Sequence, residues 1–137
     1  MAVLEKTSAK QGLMLAGKRV LVVEDEYYIA DDIRRMLSAA GATVVGPCAS
    51  LSKAEAAVDE GDFDCAVVDL NLGGESAVPI AERLAREGCG LAISTGYGSE
   101  ALPEHLEGVP RIEKPYDPPT LLDLLSQLSC ARSTDLR

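Results

Sequence analysis

VLVVEDE, residues 20–26, runs four aliphatic side chains without a polar break into three carboxylates. A second stretch has the same design: Cys65-Ala66-Val67-Val68 meets Asp69. An uninterrupted apolar run of this length is the pattern of a strand covered on both faces, as in a parallel sheet packed between helices. In such a sheet, ligands bind in the crevice outside the carboxyl ends of the strands. Carboxylates gathered there repel one another unless a cation joins them, and clustered hard oxygens suit Mg2+. The two stretches point to a parallel sheet with an acidic edge fit for a metal.

Outward from these stretches the chain alternates strands and helices. The first strand, at 19–23, leads to a helix over about 28–40, where Ile29, Ile33, Met36 and Leu37 form an apolar stripe. Gly41 ends that helix as a residue just past a C-cap does. A second strand at 43–45 is closed by Gly46-Pro47, and Ser52-x-x-Glu55 has the spacing of a capping box opening a helix to Glu60. The third strand is 65–68. Gly73-Gly74 marks a flexible turn before a helix over about 77–86, and the fourth strand is 91–94. Gly96, Gly98 and Pro103 make the next segment poor helix material, so the fourth helix is expected to be short or irregular. A fifth strand at 111–113 precedes a last helix with Pro118 in its first turn and an apolar face of Leu121, Leu122, Leu124, Leu125 and Leu128. Five strands alternating with five helices predict an α/β fold, a doubly wound five-stranded parallel sheet of flavodoxin-like type. Residues 1–17 read as an N-terminal extension, disordered or adding a short helix, 18–128 as the domain, and 129–137 as a C-terminal tail.

With 137 residues, 47% hydrophobic and 26% charged, the composition is that of one globular domain. A net charge of −9 disfavours nucleic acid as a partner. No apolar stretch approaches the roughly 20 residues of a membrane span, and Leu13-Met14-Leu15-Ala16 is too short for the core of a signal peptide. The cysteines Cys48, Cys65, Cys89 and Cys130 form no CxxC pair and read as small core or incidental residues, which fits a reducing cytoplasm. The only histidine, His105, falls in an expected loop between Pro103 and Gly108, and no Ser/His/Asp assembly is available.

On this scaffold, Glu24-Asp25-Glu26, Asp69, Ser94-Thr95-Gly96 and Lys114-Pro115 all leave the same edge of the sheet. Carboxylates, a hydroxyl and an ammonium at neighbouring strand ends are the parts needed to receive a phosphoryl group. VLVVEDE, VVDLNL, STGYG and EKP, in this order and spacing, resemble the receiver domain of two-component response regulators over residues 18–128. The resemblance implies that Asp69 is the phosphoacceptor. It also implies that Glu24 and Asp25 hold Mg2+ together with Asp69 and the backbone carbonyl of Asn71, Asp25 being the closer of the first two. Thr95 would be the switch hydroxyl and Lys114 the phosphate-contacting lysine, aimed inward by a cis bond to Pro115. Glu26 reads as a solvated charge. The implied partners are a histidine kinase or phosphotransfer protein and a downstream protein. With only nine residues after Leu128, the chain is expected to act without an output domain.

The chain departs from the pattern at Arg111, where most receivers carry Tyr or Phe three residues before the lysine. Tyr97 stands two residues after Thr95 and is the expected replacement, coupling phosphorylation to the surface around the fourth helix and fifth strand. STGYG, Gly73-Gly74 and Arg111 together resemble the subgroup nicknamed FAT GUY regulators. Two other readings stand beside this one. A Mg2+-dependent phosphohydrolase with an aspartyl-phosphate intermediate would want a general acid two residues after the nucleophile, where this chain has Asn71. A degenerate receiver acting only as an interaction module would lack site residues that are present here.

Overall fold

A computed structural model describes residues 14–95 and 102–128; the side chain of His105 lies outside that description. The expectations for residues 1–13, for Gly96, Tyr97 and Gly98, and for the tail at 129–137 lie outside the described residues.

Five parallel strands form one sheet: β1 (Arg19–Val23), β2 (Thr43–Cys48), β3 (Cys65–Asp69), β6 (Gly90–Thr95) and β7 (Arg111–Glu113), in the order β2-β1-β3-β6-β7. A two-stranded hairpin, β4 (Asn71–Leu72) with β5 (Glu75–Ser76), branches off directly after β3. Among the described residues there are four α-helices, α1 (Tyr27–Ala39), α2 (Leu51–Glu60), α3 (Val78–Arg86) and α4 (Pro118–Gln127). Where a fourth of five helices was expected, the described residues hold one 3-10 turn, Glu104–Leu106. It buries Leu106 in the core.

The alternation of strand side chains sorts the core into two layers. Leu21, Val23, Ala66, Val68, Leu91 and Ile93 pack with Ala54 and Val58 of α2 and Ile80 and Leu84 of α3. Val20, Val22, Cys65, Val67 and Ile112 pack on the opposite face with Ile33 and Leu37 of α1 and Leu121, Leu122 and Leu125 of α4. This is the doubly wound arrangement. The chain reverses strand order between β1 and β3, so the carboxyl ends of these neighbours flank the topological switch point.

Two local expectations are corrected. β2 does not stop at Gly46-Pro47 but runs on to Cys48, with a shift in its pairing against β1 between Leu21 and Val23. β2 is an edge strand, where a proline need not supply a ladder N–H. Gly46 has φ +103, and a Cβ there would meet the backbone of Cys48 at 2.6 Å and of Val22 at 2.9 Å, so only glycine fits. The cap of α2 is Ser50 rather than Ser52: its extended backbone (φ −137, ψ 159) lets its hydroxyl accept from the Lys53 N–H at 3.3 Å.

Before β1, Leu15 is buried against α1 and its N–H donates to the Ala40 carbonyl at 2.9 Å. The Lys18 ammonium donates to the carbonyls of Leu125 at 2.7 Å, Ser126 at 3.2 Å and Leu128, at the end of α4. The last carbonyls of a helix lack the N–H of a continuing turn; the Leu125 carbonyl also accepts the Leu128 N–H at 3.2 Å, and a cation there complements the helix dipole.

Candidate functional site

β1 delivers Glu24 and Asp25 at its exit, and the Glu24 N–H continues the strand by donating to the Cys48 carbonyl at 3.0 Å. The Glu24 side chain is 1% exposed. Its Oε2 accepts the Glu26 N–H at 3.1 Å, while Oε1 lies 2.9 Å from Lys114 Nζ without an aligned hydrogen bond, a contact of charge rather than of directed donation. Asp69 ends β3. Its Oδ1 accepts the Asn71 N–H at 3.0 Å and its Oδ2 accepts from Lys114 Nζ at 2.8 Å. One carboxylate oxygen each from Glu24, Asp25 and Asp69 lie within 4.8 Å of one another. Lys114 follows β7, with its N–H donating to the Thr95 carbonyl at 3.0 Å, and the Lys114–Pro115 bond is cis.

Burial pushes the Glu24 carboxyl above the ordinary carboxylate range, although Lys114 and the Glu26 N–H pull it down. For Lys114, burial favours the neutral amine, but the hydrogen bond to Asp69 and the negative charge of Asp69 and Glu24 more than offset it and hold the ammonium above the usual lysine value. Two carboxylates, Glu24 and Asp69, thus share one ammonium, with Asp25 beside them. The donor set is all hard oxygen, and Glu24 Oε1 is a buried acceptor with no aligned donor, so the residues present fit a small divalent cation such as Mg2+.

The cleft above these groups has a volume of about 660 Å³, lined by Asp25, Glu26, Asp69, Asn71, Gly73, Thr95 and Lys114 among others. Gly73 closes it at the β4–β5 turn with φ +58, and a Cβ there would meet Asp25 Oδ2 at 3.2 Å. A side chain at this position would be strained in its backbone and would press on an acidic ligand.

The structure brings together Glu24, Asp25, Asp69, Asn71, Thr95 and Lys114. Asn71 begins the hairpin, and its side-chain Oδ1 accepts the Gly74 N–H at 3.1 Å, which orders the glycine turn expected to be flexible. Arg111 is exposed on β7, opposite Ile93, and is not among the residues lining the cleft. Glu26 is exposed at the rim and outside the carboxylate cluster. Sequence reading passed over Tyr116. Tyr116, 8% exposed, meets the Ser94 hydroxyl in a buried side-chain hydrogen bond, and burial pushes its phenol up to about 12. The available signal was an aromatic two residues past the lysine in a chain with four Tyr, one Phe and no Trp.

Residues 20–126 match the family model of the response regulator receiver domain. The chain belongs to that family. SdrG from Sphingomonas melonis Fr1 is 31% identical with a TM-score of 0.71, over 82% of this chain and 95% of that one. PhyR from Brucella abortus shares the fold with a TM-score of 0.72 at 24% identity, over 98% of this chain and 56% of that one. The transcriptional regulatory protein TcrA of Mycobacterium tuberculosis is 40% identical over 73 residues. The match covers 53% of this receiver chain but only 28% of the length of TcrA. Among the described residues of the receiver, no helix is long and apolar enough to cross a membrane.

Proposed function

We propose that this receiver takes a phosphoryl group from a histidine kinase or phosphotransfer protein onto Asp69 and signals in the cytoplasm through protein contacts. An oxygen of Asp69 forms the new bond to phosphorus as the P–N bond of the donor phosphohistidine breaks, and the electron pair stays with the imidazole nitrogen. The observation that carries this reading is Lys114 Nζ held between Asp69 Oδ2 and Glu24 Oε1 at the mouth of the cleft. There the ammonium would receive the oxygens of the transferred group, and Thr95, which lines the cleft, would supply a second donor. Glu24, Asp25, Asp69 and the Asn71 carbonyl would hold Mg2+, which when bound supplies positive charge to the transferring oxygens. Tyr97 and the exposed Arg111 support membership of the FAT GUY subgroup, with Tyr97 carrying the switch role.

Incubation with phosphoramidate and Mg2+, read by intact mass, tests the reading. The expected result is one phosphoryl group on the wild type and none on Asp69→Asn. An adduct that persists in Asp69→Asn would move the acceptor elsewhere.

A further inference from the structure

Lys114 must keep its ammonium on two carboxylates although it leaves a three-residue strand at the edge of the sheet. One backbone bond, Lys114 N–H to the Thr95 carbonyl at 3.0 Å, ties it to β6. The second tie is Tyr116. Its side chain is buried in the layer that holds Leu121, Leu122 and Leu125, and its hydroxyl bonds the Ser94 hydroxyl. Ser94 is 3% exposed, pairs in register with Asp69, precedes Thr95 and reaches the cleft wall. The Tyr116 phenol also lies within electrostatic reach of Glu24, Lys114 and Asp69.

We infer that Tyr116 is a positioning residue for phosphoryl transfer: through Ser94 it pins the loop carrying Lys114 to the strand end beside Asp69. The inference rests on Asp69 being the acceptor. A buried hydroxyl pair has little freedom to re-pair with water, so losing either member frees the loop at this attachment and leaves the other hydroxyl unsatisfied. The ammonium then spends less time where the transferring oxygens need it, while the donor still enters the same cleft.

The test compares wild type, Tyr116→Phe, Ser94→Ala, the double variant and Ser94→Thr, using phosphoramidate and Mg2+ and varying the phosphoramidate concentration. Each single variant is expected to slow maximal phosphorylation about three- to tenfold, the worth of one buried hydrogen bond, with the half-saturating donor concentration unchanged. The double variant is expected to be no slower than the singles, and Ser94→Thr, which keeps the hydroxyl, to hold the wild-type rate. Single variants within about twofold of wild type, or losses that multiply in the double, would overturn the inference. If Tyr116→Phe fails to fold, Ser94→Ala against Ser94→Thr decides alone. Labelling of Asp69→Asn would sink the acceptor assignment itself. Labelling confined to Asp69 with unaltered Ser94→Ala kinetics removes only the role of Tyr116.

Discussion

β1 and β3 present their carboxylates from strands bonded to neighbours on both sides, whereas β7 brings Lys114 from an edge strand bonded to β6 alone. The acidic half is also tied down beyond its strands, by the Glu24 N–H on Cys48 and by the Asn71 N–H on Asp69. The basic half has Arg111 and Glu113 exposed and a single buried residue, Ile112, in its strand. The acidic half is held by sheet neighbours on both sides, the basic half by a neighbour on one.

Removing the counter-charge gives the largest expected effect. Lys114→Met keeps the stem but loses the ammonium, and phosphorylation by phosphoramidate is expected to fall about 10²-fold, as for loss of one preorganised donor. Stopped assays with intact-mass readout measure this; a rate within a few-fold of wild type would mean the acidic half works alone. Truncation in the two halves gives the next effect. Ile93→Ala in central β6 is expected to lose about 4 kcal/mol of unfolding free energy in urea, and Ile112→Ala on edge β7 about 2 kcal/mol. Equal losses would mean that the edge is packed as firmly as the centre. The smallest effect concerns pH. Folding holds the Tyr116 proton, raising its pKa from 10.0 to about 12. The folded state therefore binds more protons than the unfolded state in that window, and stability falls as pH rises through it. Tyr116→Phe cannot titrate, so its stability in urea is expected to decline less steeply with pH between 10 and 12 than that of the wild type. Parallel declines would place the phenol in water-like surroundings in the fold.

The acidic half was legible because its residues sit at the ends of unbroken apolar runs, and a run of that kind has one interpretation in a covered parallel sheet. Lys114 was legible through the motif it belongs to. The misreadings share a cause. Gly46-Pro47 looks like a stop by composition, and only the position of β2 at the edge makes the pair tolerable within a strand. Ser50 and Ser52 are equally good caps as letters, and backbone geometry at Ser50 decides between them. The hairpin after β3 is too short to have a period, and the Ser94–Tyr116 bond joins residues that no local pattern relates. Side-chain pairing across strands is a property of register and packing, which a sequence encodes only collectively.

Lys18 reaches from the threshold of β1 to the last carbonyls of α4. The place where the sheet begins and the place where the final helix stops are therefore within one lysine side chain of each other. In topological terms the domain is a ring closed at this clasp. That proximity is what circular permutation requires: the ring could be covalently joined at the clasp and opened at the Gly73-Gly74 turn, with every strand keeping its neighbours.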